Sequence, residues 1–119
     1  MESSTLEFVT VITNHLIDRR AEDVIALDVA HMTVLAEAMV IASGRSALQV
    51  RALYDSLMEK LSESGETSRR HEGVSEGRWI VVDFGSVIVH LFHEQERRYY
   101  NLERLWMDGV NIVEMPSSV

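Results

Sequence analysis

Cysteine is absent from the chain, and lysine and proline occur once each. Without cysteine there are no disulfides, thiolate zinc sites, iron–sulfur clusters or cysteine nucleophiles. That composition is compatible with the cytosol. A long apolar run is also missing. The longest apolar region, Val24 to Ala42, is interrupted by Asp28, His31 and Glu37, whereas a membrane-spanning helix needs about 20 mostly apolar residues. The opening "MESSTLEF" is acidic and carries no basic-then-apolar signal pattern. The expected location is therefore cytoplasmic, with no membrane partner. An excess of positive charge is lacking too: the formal net charge is −8. A surface of that sign repels phosphate on average, so little direct nucleic-acid binding is expected and a basic protein is the favoured macromolecular partner.

What is present reads as one domain over residues 1–119, since domains commonly run about 100–150 residues. The apolar fraction of 46% and charged fraction of 25% are ordinary for a globular chain. Residues 5–19 have helical periodicity: Leu6, Val9, Thr13 and Leu16 form the stripe, widened by Phe8, Ile12 and Ile17. Asp23–Val29 and Ala38–Ser43 are short, apolar and β-branched, as in strands covered on both faces, with "AHMTVLAE" as a loop or helical turn between them. Ser46 and Gln49 have capping-box spacing. A helix then presents Val50, Leu53, Tyr54, Leu57 and Leu61 on one side and stops at Gly65. Residues 66–72 suit a polar edge strand. "RWIVVD" and "SVIVHLF" flank Phe84–Gly85 as a hairpin, with Trp79, Val81 and Asp83 on one face. Both strands are apolar on both faces, which predicts a mid-sheet position beneath helices. "EQERRYYNLERLW" predicts one helix or two short pieces, and the tail after Asp108 is expected to fray. The fold class is α/β: a central mixed sheet of about five strands flanked by helices.

Chemistry-bearing patterns are weak. His90 and His93 point to opposite faces if their segment is a strand, so no metal site is expected. Asp83–Phe84–Gly85 resembles a kinase metal-binding tripeptide, but it stands alone and fits a hairpin turn. "ASGRS" (Ala42–Ser46) lies between strand and helix, where anions can bind. A nucleotidyltransferase would need two acidic residues on a following strand, and the next acid is Asp55 in mid-helix. No nucleophile-elbow or Ser-His-Asp pattern orients a nucleophile. Enzyme activity and a cofactor are therefore not expected. Six of the eleven basic residues lie in the pairs Arg19–Arg20, Arg69–Arg70 and Arg97–Arg98, read as solvated ends of elements.

Aromatic residues are few and concentrated. Of eight in the chain, Tyr99, Tyr100 and Trp106 fall within "RRYYNLERLW". At helical spacing Leu102 and Leu105 are expected to pack on the sheet. The three aromatics cannot all point inward from one short helix, and exposed Tyr and Trp are typical interface anchors. Glu94, Glu96 and Glu103 would give such a patch an acidic rim, which favours a basic partner. An exposed aromatic patch can also self-pair into a homodimer.

Four collinear blocks carry a family resemblance over about residues 5–107: "AEDVIALDV" (21–29), "VIASGRSALQV" (40–50), "EGRWIVVDFGSVIVHLF" (76–92) and "RRYYNLERLW" (97–106). On these blocks the chain resembles bacterial ribosomal silencing factors of the Iojap family. It departs from the family pattern at Glu37–Ala38–Met39, where the family often has an Asp before an aromatic, and at Ser43, where the family's usual residue is threonine. The resemblance implies a nucleotidyltransferase-like fold without the catalytic carboxylates. It also implies a translation regulator that binds the large ribosomal subunit through its basic ribosomal protein fourteen. There it would block joining of the small subunit and damp translation when nutrients are short. By position, the contact residues it implies are Trp79, Asp83 and Phe84 in the hairpin, and Tyr99, Tyr100, Leu102, Glu103 and Trp106 in the late helix. Two alternatives stand beside this expectation: a large-subunit assembly factor using the same surface, and a nucleotide-binding enzyme acting through "SGRS".

Overall fold

The computed structural model describes residues 1–114. The chain begins with helix α1 (Ser3–Asp18), whose buried residues are Thr5, Val9, Ile12, Thr13 and Leu16. The stripe is thus rotated from the one expected: Leu6 and Ile17 face outward, at 38% and 53% exposure. Thr13 is tolerated inside because its hydroxyl donates to the Val9 carbonyl at 2.9 Å. Strands β1 (Glu22–Asp28) and β2 (Ala38–Gly44) pair antiparallel, and every residue of β2 is buried.

Helix α2 (Ala47–Glu63) starts as its capping signal predicts. The Ser46 hydroxyl accepts from the Gln49 N–H at 3.1 Å, while the Gln49 side chain reaches back to the Arg45 N–H at 2.7 Å, one residue beyond the usual box partner. Its end is a Schellman motif. Glu66 N–H donates to the Leu61 carbonyl and Gly65 N–H to the Ser62 carbonyl, with Gly65 at φ +80°. The polar segment that follows forms only a three-residue strand, β3 (Arg70–Glu72), fully exposed. Strands β4 (Trp79–Asp83) and β5 (Val87–His93) are the expected hairpin. Asp83 Oδ1 accepts from the Gly85 N–H at 2.7 Å in the turn, and Gly85 sits at φ +91°. Two short helices follow, α3 (Glu94–Tyr100) and α4 (Leu102–Trp106).

The five strands run in the order β1-β2-β5-β4-β3, with β2 and β5 parallel and all other pairs antiparallel. This mixed sheet flanked by helices is the fold class that the alternation of elements predicts. The layering differs from expectation. Both long helices lie on one face, where Val9, Ile12, Leu16, Val50, Leu53, Leu57 and Leu61 meet Val40, Ile80, Val82, Val87, Val89 and Leu91. The other face is covered only in part. Leu102 and Trp106 pack there against a smaller cluster of Leu27, Val29, Met39, Ile41 and Phe92. The hairpin is apolar on both faces, yet on the face away from α1 and α2 Trp79, Val81, Asp83 and Ile88 are only half-buried.

The stretch from Asp108 to Val113, expected to fray, is tied to β1. Val113 N–H donates to the Ala26 carbonyl and Asp28 N–H to the Asn111 carbonyl, and Leu27 and Ile112 form a β-bridge. Asn111 is 6% exposed and its amide donates to the carbonyls of Asp28 and Trp106. Residues 115–119 of the tail lie outside the described residues.

Candidate functional site

Register on the hairpin places Trp79 opposite Phe92, Val81 opposite His90, and Asp83 opposite Ile88. Side chains alternate along strands, so these six share the face away from α1 and α2. Phe92 is fully buried. Trp79 stacks on it, with ring centroids 4.8 Å apart and planes 25° from parallel. The Trp79 indole N–H donates to His90 Nδ1 at 3.0 Å. His90 is 8% exposed, and burial lowers its pKa from 6.5 to about 4. It is therefore neutral near pH 7, with its own proton on Nε2, and serves as the acceptor that fixes the indole. The Tyr100 ring also lies against Trp79, centroid to centroid 5.0 Å and tilted by 42°. Tyr99 meets Tyr100 edge-on at 5.0 Å. Tyr99 and Tyr100 are 81% and 50% exposed.

The tyrosines arrive there because the late helix is broken. His93 Nδ1 accepts from the Gln95 N–H at the start of α3, where Glu94 and Glu96 also suit the positive end of the helix. Asn101 then takes a left-handed conformation, φ 48° and ψ 53°, which asparagine tolerates better than most residues. The chain turns and α4 starts in a new direction. A continuous helix would put Tyr99, Leu102 and Trp106 on one face. Instead Leu102 and Trp106 pack on the sheet and Tyr99 points to solvent. Leu105, expected to pack inward, is 70% exposed.

Arg97, half of a pair read as solvated, is the buried residue of α3. Its Nε donates to Glu103 Oε1 at 2.6 Å and its Nη1 to the Ser43 hydroxyl at 2.8 Å. Glu103 is thus committed internally; its second oxygen is buried and has no protein partner. Glu96 is likewise paired, with Arg78 at 2.7 Å. Two of the three carboxylates expected to form an acidic rim are therefore neutralised by arginines.

Among the sequence-predicted contact residues, the fold brings together Trp79, Tyr99 and Tyr100, with Leu102 and Trp106 adjoining as half-buried supports. Phe84 is elsewhere: it packs edge-on against Phe8 of α1, centroids 5.4 Å apart, on the helix-covered side. Asp83 shares the open face but sits at its far end, holding the turn and ion-paired with Arg70 at 3.4 Å. Sequence reasoning missed Ile88 and the part played by His90. The strand alternation that grouped Val81 with Trp79 would have grouped His90 and Ile88 once the hairpin register was set. A shallow depression of about 140 Å³ lined by Arg70, Glu72, Val81, Asp83 and Ile88 continues the face toward β3.

The strand-to-helix junction is occupied by its own structure. Arg45 is ion-paired with Glu22 and Ser46 caps α2. A Cβ on Gly44 would come within 3.0 Å of Val50 Cγ2, so this glycine serves the close approach of α2 to β2. Among the described residues, no three His, Asp or Glu side chains are grouped to hold a metal. No helix there is long and apolar enough to cross a membrane.

Comparison with known proteins agrees with this architecture. The sequence model of the family described as "Ribosomal silencing factor during starvation" matches residues 2–118. A ribosomal silencing factor of Bacillus subtilis is 44% identical over 92 residues, covering 77% of this chain and 78% of that protein. One from Halalkalibacterium halodurans is 38% identical over 109 residues, covering 92% and 93%. A crystal structure of a Bacillus halodurans protein superposes with a TM-score of 0.80 at 37% identity, over 92% of this chain and 98% of that one. By sequence and by fold, the chain belongs to the ribosomal silencing factor family.

Proposed function

We propose that this protein represses translation by binding the large ribosomal subunit through ribosomal protein fourteen and standing in the way of the small subunit. One observation carries the reading. On the sheet face away from α1 and α2, Trp79 of β4 and Tyr100 of α3 are in contact, with Tyr99 beside Tyr100 and both tyrosines exposed. Such a patch has the makings of an interface core: large rings held rigidly, able to bury area at little entropic cost. The net charge of −8 favours a basic protein surface and opposes broad adhesion to ribosomal RNA. A standard interface of roughly 800 Å² per partner would suffice to seat the protein. Repression then follows from mass action, because a ligand of the free large subunit draws it away from joined ribosomes.

Co-sedimentation with isolated particles tests this. The protein is expected to pellet with free large subunits and to be depleted from joined ribosomes. Equal pelleting with both would contradict the proposal. Tyr100→Ala is expected to weaken large-subunit binding by roughly thirtyfold, the loss of about 2 kcal/mol typical of an aromatic anchor, with melting little changed because the ring is half exposed. Trp79→Ala should weaken binding at least as much and also lower stability, since its ring stacks on the core.

A further inference from the structure

We infer that Arg97 is a positioning residue, which through Glu103 sets the angle between α3 and α4 and so holds Tyr99 and Tyr100 beside Trp79. The inference rests on the docking surface proposed above. Helices of seven and five residues are far shorter than the ~12–15 residues at which an isolated helix becomes even marginal. Their orientation must come from tertiary contacts. α4 has its own anchors, Leu102 and Trp106. α3 has one buried residue, and it is Arg97; the Arg78–Glu96 pair that also touches α3 is surface-exposed on the arginine side, where ion pairs contribute little.

Arg97 reaches three separate elements from that one position. Its guanidinium donates to Glu103 on α4 and to the Ser43 hydroxyl on β2, and at 3.4 Å to the Glu22 carbonyl on β1. The contact with Glu103 spans the left-handed break at Asn101, the joint about which the two helices would otherwise pivot. A planar, forked donor can satisfy such divergent acceptors together; a lysine ammonium cannot reach them all with the same geometry. Stability alone is a poor explanation for the pair. Buried ion pairs are often replaceable by apolar residues of similar size without loss, and here Glu103 Oε2 is left buried without a partner. Arg97 is 8% exposed, so its own side chain cannot form a substantial contact with a ribosomal protein.

The test compares full-length variants for melting temperature, affinity for free large subunits, and the emission of Trp79 in a Trp106→Phe background. Arg97→Met/Glu103→Met removes both charges and keeps volume. It is expected to remain folded, to bind at least tenfold more weakly, and to shift the Trp79 emission as Tyr100 leaves its side. Arg97→Lys guards against failure of the double variant to fold: it keeps the charge but not the fork, and is expected to lose binding at least fivefold with a smaller change in melting. Either variant folding and binding within twofold of the parent overturns the inference. Tyr100→Ala separates the two readings. If it weakens binding while the Arg97 variants do not, only the positioning role fails; if it too binds like the parent, the docking surface itself is wrong.

Discussion

His90 shows how one buried side chain shapes the site and the stability of the protein together. Its imidazole is held neutral by burial, with a pKa lowered from 6.5 to about 4. The unfolded chain therefore binds a proton at a pH where the folded chain does not, and stability must fall as pH drops from about 6.5 toward 4. The full contribution is present above pH 6.5. Urea unfolding at pH 7 and pH 4.5 is expected to show a loss of about 2–3 kcal/mol from this residue. His90→Gln, which keeps an acceptor for the indole but cannot titrate, should flatten that part of the pH profile. An unchanged pH slope in the variant would mean that His90 is not the titrating group. The same hydrogen bond fixes the Trp79 indole within the proposed docking surface. Phe84, by contrast, belongs to the same family motif but packs edge-on against Phe8, so its truncation should lower stability without a separate effect on binding.

Elements differ in how far their local signals survive folding. The start of α2 is written into Ser46 and Gln49, and Ser46→Ala is expected to cost about 1 kcal/mol in chemical denaturation. The expected stripe of α1 was rotated because several apolar residues compete for the core, and contact with β1 and α2 decides between them. The late segment departs most. Helical periodicity over residues 94–106 takes no account of a left-handed residue, and Asn101 is one of the few non-glycine types that accept that conformation without large strain. Asn101→Gly is therefore expected to be tolerated within a few tenths of a kcal/mol, whereas Asn101→Val should destabilise by about 1–2 kcal/mol and misalign the tyrosines. Differential scanning calorimetry alongside subunit binding would show whether the two effects track each other.

For the whole molecule the decisive feature is asymmetry. Two long helices cover one face of a five-stranded sheet, and two short ones cover only part of the other. That leaves an aromatic, half-buried surface on a body of net charge −8. Charge of this sign makes protein-free ribosomal RNA a poor target, so a filter-binding assay at physiological salt is expected to show no retention of naked RNA. Large subunits stripped of ribosomal protein fourteen should likewise fail to pellet the protein. Retention of stripped subunits at parental affinity would place the contact elsewhere.

Composition and pattern by themselves determined the class of fold, the hairpin, the capped second helix and the concentration of rings near the end of the chain. Those features depend on residues close in sequence: alternation with period two, stripes with period near 3.6, a serine three residues before a glutamine. Only the tertiary structure decided that Phe84 faces the helices, that Arg97 is inside, that Glu103 and Glu96 are neutralised, and that Leu105 is outside. Each of these depends on a partner far along the chain or on the break at Asn101. The face on which a side chain ends, and the charge it meets there, are set by long-range packing, which local periodicity does not encode.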